Sequence, residues 1–173
     1  MLVRTIGLFW REDNVYWGAG SQPGALYGVP FNATTIEPID FRDQIGVYAL
    51  YADYQLVYVG QAGAGDQTIF SRLKQHRKND LAGRWNRFSW FGVLRVLANG
   101  DLSSKTDALH PELPGVLNHI EAILIHAAEP PMNGQGGRFG ESVTRYQQIR
   151  DERLGPSQHE MLQALCKQQG IKL

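Results

Sequence analysis

Five side chains in this sequence have types and spacings that could together transfer protons and bind an anion. Tyr48 ends a Gly-Val-Tyr tripeptide, and Tyr58 begins a Tyr-Val-Gly tripeptide. Arg72 and His76 are four residues apart, the spacing of one helical turn. Glu121 lies in an apolar stretch, where a carboxylate is costly unless it is paired or binds a metal. The set therefore contains proton-transfer groups, a planar cation that matches phosphate oxygens, and an oxygen ligand for a divalent cation.

A β-hairpin is predicted to hold the two tyrosines. The segments 45–51 and 56–60 are rich in Val, Ile, Tyr and Leu, with a short Ala-Asp-Tyr-Gln stretch between them. Pairing centred on Asp53 would place Tyr48 directly opposite Tyr58 on one face. Opposed tyrosines are common packing partners, so this pair alone favours a structural role. The glycines of the two tripeptides are more informative. Glycine weakens a strand, so its presence there indicates a position where another group must lie close to the backbone.

Two helices and a central strand are predicted to carry the other candidates. A helix capped by Asp66 or Thr68 runs to about residue 78, and a strand covers 88–97. A second helix covers about 114–129, with apolar residues spaced three and four apart. Because the neighbours of Glu121 on its own helix face are leucine and isoleucine, its carboxylate is predicted to point inward. A structural salt bridge to an arginine is the alternative to a metal for such a carboxylate.

The two ends of the chain are predicted to form local structures. Near the N-terminus we expect a hairpin of 5–10 with 15–17, followed by a loop or irregular arm over 18–30. Near the C-terminus, after a second glycine-rich loop, we expect two amphipathic helices over about 142–154 and 156–170.

The formal net charge is zero, but the charges are unevenly distributed. The chain has 17 Lys and Arg against 17 Asp and Glu. Residues 1–60 contain three arginines and six acids, a net charge of −3, whereas 71–95 contain seven basic residues and one acid, a net charge of +6. A basic stretch is often only a solvated helix face, but this one also contains aromatic residues, which can stack on bases. Zero net charge therefore does not exclude a nucleic-acid partner.

Cysteine content and hydropathy indicate the compartment. Cys166 is the only cysteine in the sequence, so an internal disulfide cannot form and a cysteine-based zinc site is implausible. The chain has no run of about 18 apolar residues that could span a bilayer, and its N-terminus does not have the pattern of a secretion signal. We therefore expect a cytoplasmic protein without a membrane partner.

The order of the candidate residues resembles that of the GIY-YIG nuclease family. The shared pattern is Gly-Val-Tyr, then Tyr-Val-Gly, then Arg72 and His76 on a helix, Glu121 on a later helix, and Asn133 after two prolines. It covers residues 45–133, about half of the chain. The two tripeptides alone are a weak signal, but together with the four later residues in this order they are fairly specific.

The resemblance implies a metal-dependent endonuclease that hydrolyses DNA phosphodiester bonds and leaves 5′-phosphate and 3′-hydroxyl ends. Tyr48 and Tyr58 would line the site, and Arg72 would contact the scissile phosphate. Glu121 would be the single carboxylate ligand of Mg²⁺ or Mn²⁺, with Asn133 supporting the site. One carboxylate suffices chemically, because Mg²⁺ keeps several waters and also binds substrate phosphate oxygens.

The general base is left open between Tyr48 and His76. A phenol has an ordinary pKa of about 10 and an imidazole one of about 6.5, so the histidine is better matched to neutral pH. The resemblance favours Tyr48 as the base, with His76 as a relay. Gln61 stands where some members of the family have a lysine, so cationic help must come from Arg72, His76 or Lys74.

Double-stranded DNA is the expected partner. The residues expected to contact it are Gln61, Lys74, Arg77, Lys78, Arg84, Arg87, Asn133 and Arg138. Two alternatives are a nuclease acting on RNA or single-stranded DNA, as in a toxin or defence protein, and a nucleic-acid-binding module without catalysis. One active site cuts one strand, so a double-strand break requires a homodimer or two successive visits.

These elements and the resemblance predict an α/β (α+β) fold with a small three-stranded, mainly antiparallel central sheet flanked by helices, as in the GIY-YIG family. Residues 1–44 would form an N-terminal β-hairpin or arm, and 45–133 the nuclease core. Residues 134–173 would supply the glycine-rich loop and C-terminal helices that pack on the core.

Overall fold

The computed structural model describes residues 2–32, 37–104, 113–128, 139 and 143–168, with only the backbone at 113–118. The helices in these residues are α1 (Ile69–His76), α2 (Leu113–Ala128) and α3 (Gln158–Gln168). The strands are β1 (Thr5–Arg11), β2 (Tyr16–Ala19), β3 (Gln22–Ala25), β4 (Tyr27–Pro30), β5 (Ile39–Asp40), β6 (Gly46–Ala52), β7 (Gln55–Ala62), β8 (Arg87–Gly92) and β9 (Thr144–Gln148). None of the helices in the described part of the chain is long and apolar enough to cross a membrane.

A seven-stranded mixed sheet dominates the molecule, so the predicted small three-stranded sheet flanked by helices is wrong. The strand order is β5-β4-β9-β1-β8-β6-β7, and β2 and β3 form a separate two-stranded sheet. Neighbouring strands of the large sheet are antiparallel except β1 and β9, which are parallel. The sheet is larger than predicted because strands from both ends of the chain extend the antiparallel set of β7, β6 and β8.

The N-terminal hairpin prediction is wrong because β1 does not fold back on the segment that follows it. Instead β1 pairs with β8 on one side and with β9 on the other. Between β1 and β2 the chain makes a short 3₁₀ turn, Glu12–Asn14, and β2 then pairs with β3. The segment predicted to be an irregular arm therefore contains two strands, β3 and β4.

At the C-terminal end, the helix predicted at about 142–154 is also wrong, because this segment contains strand β9. Tyr146 of this strand is buried, and its carbonyl oxygen accepts a hydrogen bond from the Trp10 indole Nε1 at 3.3 Å. Pairing with β1 and β4 therefore overrides the helical spacing of the local sequence. The last predicted helix is confirmed as α3, which lies within the predicted range 156–170.

The large sheet has a hydrophobic cluster on each face, and alternate residues of β6 belong to different clusters. Tyr48 and Leu50 pack in the cluster that includes Ile69 and Leu73 of α1. Ala49 and Tyr51 pack in the cluster that includes alanines of α2. Helices α1 and α2 therefore lie on opposite faces of the sheet.

The buried amide of Gln44 joins the start of β6 to its surroundings. Its Nε2 donates to Thr5 Oγ1 and to the Leu94 carbonyl oxygen, and its Oε1 accepts from the backbone N–H groups of Ile45 and Leu94, all at 3.0 Å. The Gln44 carbonyl oxygen accepts from the Ile69 backbone N–H at 2.8 Å. One residue therefore aligns β6 with the first turn of α1.

Candidate active site

The hairpin of β6 and β7 is confirmed, but its predicted register is wrong. Tyr48 lies opposite Gly60, and Tyr58 lies opposite Leu50. A bulge between Leu50 and Tyr51 shifts the pairing. Residues beyond it therefore do not lie opposite the partners that regular pairing from the turn would give. The two tyrosines still share a face as diagonal neighbours, with ring centroids 6.2 Å apart.

Two glycines of this hairpin are required by close contacts. A Cβ at Gly60 would collide with the hydroxyl of Tyr48, whose ring lies across this position. Gly46 has a φ of +145°, and a Cβ there would collide with the Phe91 carbonyl oxygen. The tripeptide glycines therefore make room for the Tyr48 ring and for the neighbouring strand β8.

Helix α1 is fixed at its first turn by a reciprocal cap. The Thr68 Oγ1 accepts from the Ser71 backbone N–H at 3.1 Å, and the Ser71 Oγ accepts from the Thr68 backbone N–H at 2.9 Å. The buried residues of α1 include Ile69 and Leu73, which pack against the sheet. This packing directs His76, at the end of the helix, toward the Tyr48 side chain of β6.

Tyr48 and His76 form a buried hydrogen-bonded pair. The Tyr48 hydroxyl oxygen lies 2.7 Å from His76 Nε2. Tyr48 is 0% exposed and His76 is 3% exposed. The Tyr58 ring packs against the imidazole, with ring centroids 4.9 Å apart. The structure thus brings together the two candidates for the general base and the second tyrosine.

Arg72 completes this cluster. Its Nη1 donates to Gln75 Oε1 at 2.9 Å, and its guanidinium lies close enough to the Tyr48 hydroxyl to lower the pKa of that group. Its buried Nε has no hydrogen-bond acceptor among the described residues. A buried guanidinium N–H that lacks a protein acceptor is suited to an oxygen of an anionic ligand.

Burial moves the pKa values of the pair in opposite directions. The pKa of Tyr48 is raised by burial, and the positive charge of Arg72 opposes this rise. The pKa of His76 is lowered by burial and then by the same charge. In the folded protein at neutral pH, the phenol is therefore protonated and the imidazole is neutral.

Asn79 contacts the far side of the His76 ring and was missed by the sequence reasoning. Its Nδ2 lies 3.0 Å from His76 Nδ1, and its Oδ1 accepts from the Leu81 backbone N–H at 3.0 Å. The only signal in the sequence is the spacing of three residues from His76, which is common in any helix.

Glu121 does not join this cluster, and the prediction that its carboxylate faces inward is wrong. The side chain is exposed, and its helix α2 packs on the opposite face of the sheet from α1. The buried positions of α2 include Ala122 and Ala127, whereas Leu124 is 60% exposed. Periodicity failed here because the buried side chains described on α2 include small alanines, whereas the large Ile120 and Leu124 are exposed.

The described residues do not fit the divalent-metal site that the resemblance implies. Glu121 is separated from Tyr48 and Arg72 by the sheet. In addition, the part of the chain that the structure describes contains no group of three or more His, Cys, Asp or Glu side chains that could hold a metal ion. Asn133 and Arg138 lie outside the described residues.

The basic candidates are distributed over several surfaces. Lys74 is half-buried on α1, whereas Lys78 and Arg84 are exposed in the segment that follows. Arg77 forms an ion pair with Glu12 and lies over the ring of a tryptophan.

Two of the candidates belong to the face of the sheet that α2 covers. Arg87 lies opposite Tyr51 and stacks over the ring of Tyr54. Gln61 lies opposite Val47, so its side chain is also directed away from the Tyr48 face. The basic residues near the cluster are therefore those of α1 and of the segment that follows it.

Comparisons with protein-family models, with curated proteins and with solved structures found no match. The resemblance to the GIY-YIG family therefore stays a prediction from the residues themselves.

Proposed function

We propose that this protein is a nuclease that hydrolyses a phosphodiester bond of DNA at the cluster of Tyr48, Tyr58, Arg72 and His76. The observation that carries the proposal is the Tyr48–His76 pair, 2.7 Å apart, next to an arginine whose buried Nε lacks a protein acceptor among the described residues. A general base beside a guanidinium suits phosphate-ester hydrolysis, because the base accepts a proton from water and the guanidinium stabilises charge on phosphate oxygens.

Arg72 is the group of the cluster that meets the phosphate. Tyr48 is fully buried, whereas Arg72 is partly exposed. The guanidinium binds two phosphate oxygens and stabilises the charge that develops on them. Because Tyr48 is 0% exposed, the proposal requires the guanidinium to shift when it binds the phosphate, so that the attacking water reaches the Tyr48 hydroxyl.

Tyr48 is the group that takes the proton in this proposal. Tyr48 must first lose its proton to solvent, because its phenol is protonated at neutral pH. The phenolate then accepts a proton from water, the water oxygen bonds to phosphorus, and the bond to the 3′ oxygen breaks. The leaving oxygen takes a proton from solvent, so the products are a 5′-phosphate and a 3′-hydroxyl. We derive no step through a metal ion, because the described residues do not form a site for one. The assay described below compares cleavage with Mg²⁺, with Mn²⁺ and with a chelator.

The proposed partner is double-stranded DNA in the cytoplasm, with cleavage of both strands requiring a homodimer or two visits. Support comes from the basic residues of α1 and of the segment that follows it, Lys74, Lys78 and Arg84. Cations in such positions bind the DNA backbone without regard to sequence, and this binding weakens as salt rises.

The test is a nicking assay on supercoiled plasmid, with Mg²⁺, Mn²⁺ or a chelator, and with labelled duplex DNA, single-stranded DNA and RNA as separate substrates. Replacing Tyr48 by Phe should reduce cleavage by about 100-fold or more, the usual contribution of a general base. The matched control is Tyr54→Phe, because Tyr54 is in the same hairpin but is 63% exposed. If Tyr48→Phe cleaves within a few-fold of the wild type, Tyr48 is not the base.

The second candidate function is a nucleic-acid-binding module without catalysis. It is favoured by the position of Glu121 on the opposite face and by the full burial of Tyr48. Such a module would bind DNA in a salt-dependent manner but would not nick plasmid under any of the metal conditions. Cleavage that is abolished by Tyr48→Phe would exclude it.

A further inference from the structure

We propose that Asn79 holds His76 in the tautomer that carries its hydrogen on Nε2, so that His76 donates a hydrogen bond to Tyr48 and does not accept its proton. Asn79 is then a positioning residue for Tyr48, acting through the imidazole. The tautomer is a property of the fold alone, whereas its catalytic consequence rests on the proposed nuclease function.

The first step is the orientation of the Asn79 amide. Its Oδ1 lies 3.0 Å from the Leu81 backbone nitrogen. A backbone N–H can only donate, so the group facing it must be the amide oxygen and not the NH₂ group. The NH₂ group therefore faces His76.

The second step is the protonation of His76 Nδ1, which lies 3.0 Å from Asn79 Nδ2. The NH₂ group has two hydrogens and no lone pair to offer, so Nδ1 must be the acceptor. Burial and the Arg72 charge lower the pKa of His76 and keep the ring neutral at pH 7. A neutral imidazole has one N–H, and here this hydrogen is on Nε2.

The third step is the bond to Tyr48. Nε2–H points at the phenolic oxygen, 2.7 Å away, and therefore donates to it. A ring nitrogen that already carries a hydrogen cannot take the Tyr48 proton, so a relay through His76 is closed. The Nε2–H group instead stabilises the phenolate, and it still does so after Arg72 has moved to the phosphate. Tyr48, whose pKa is raised by burial, then sets the pH dependence of the reaction in the alkaline range.

The experiment measures the ¹⁵N chemical shifts of the His76 ring in the ¹⁵N-labelled full chain by long-range ¹H–¹⁵N correlation. The His76→Gln variant identifies the signals. We expect an unprotonated Nδ1 and a protonated Nε2 in the wild type. The opposite pattern in the wild-type spectrum would overturn the proposal.

Asn79→Asp tests the cause of this tautomer. A carboxylate in place of the amide accepts from Nδ1–H, so the two ring shifts should exchange. Asn14→Asp is the matched control: it changes the same group in the same way, and Asn14 Oδ1 already accepts from Arg150. Unchanged His76 shifts in folded Asn79→Asp would show that Asn79 does not set the tautomer.

The pH dependence of cleavage tests the catalytic consequence separately. In the wild type, the rate should continue to rise above pH 7 as Tyr48 ionises. A rate that levels off below the ordinary imidazole pKa of about 6.5, as the lowered pKa of His76 requires, would assign the base to His76 and contradict the proposed donor role. If the ring shifts are as expected and no cleavage occurs under any condition, the tautomer stands and the nuclease function fails.

Discussion

At the scale of single residues, Arg72 connects phosphate binding to the chemistry of Tyr48. Its guanidinium is held by Gln75 and lowers the pKa of the phenol. Lysine keeps the charge but has no planar fork that binds two phosphate oxygens. We expect Arg72→Lys to lower kcat by about 100-fold, in the range lost with one donor to a transition state, and to change KM little.

Steady-state nicking rates at several plasmid concentrations give kcat and KM separately. The exposed Arg95, which is not among the expected DNA contacts, supplies the control, since Arg95→Lys should cleave like the wild type. A normal kcat with a raised KM in Arg72→Lys would assign Arg72 to ground-state binding alone.

The same scale explains which site residues the sequence can predict. Arg72 and His76 were found because their spacing on a capped helix is a local property. Asn79 was missed because its role depends on the Leu81 backbone N–H, which orients the amide. Glu121 was misplaced because the partner surface determines which face of a helix contacts a sheet. The buried side chains described on α2 include two alanines, Ala122 and Ala127.

At the scale of elements, Gly60 determines how closely β7 approaches the ring of Tyr48. A Cβ there would collide with the Tyr48 hydroxyl, so Gly60→Ala must displace the ring from His76. We expect the free energy of unfolding to fall by about 1–3 kcal/mol, the usual effect of overpacking, and cleavage to be lost. Denaturant unfolding and the nicking assay measure the two effects.

The control for this substitution is Val59→Ala, on the same strand, where the side chain is 53% exposed. It should change the free energy of unfolding by about 0.5 kcal/mol or less. If Gly60→Ala keeps the wild-type free energy of unfolding and cleaves normally, β7 moves away from the Tyr48 ring without a loss of stability.

Local signals explain which elements could be predicted. The β6–β7 hairpin and α1 follow from alternation, a short turn and a cap, all read within a few residues. Strand β9 could not be predicted in this way, because it is stabilised by pairing with β1, and Thr5 lies opposite Thr144. Its own residues, among them Arg145 and Gln147, are compatible with a helix as well as with a strand.

At the scale of the whole molecule, the sheet explains why the fold class was wrong. Its order places β1 and β9, from opposite ends of the chain, beside the strands of the predicted core. Such long-range pairing leaves no period in the sequence. The charge distribution also depends on the fold, since Arg77 of the basic stretch is paired with Glu12 of the acidic one.

The stability of the whole molecule should depend on pH through its buried histidines. Burial lowers the pKa of His76 and of His119, which packs against the ring of Phe139. Below the unfolded value of about 6.5, the unfolded chain binds protons that the folded protein does not. Through these two groups, the free energy of unfolding should therefore not change above this pH and should fall below it, by at most about 1.4 kcal/mol per pH unit for each histidine.

Urea unfolding at pH 7.5 and at pH 5 measures this loss. Carboxylates whose pKa is lowered, such as that of Asp151, titrate below about 4 and do not contribute in this window. The double variant His76→Gln, His119→Gln should lose most of the difference between the two pH values, because it lacks both groups. The exposed His159 is the control, and His159→Gln should keep the difference. Equal wild-type stability at the two pH values would mean that both histidines accept protons without unfolding the surrounding core.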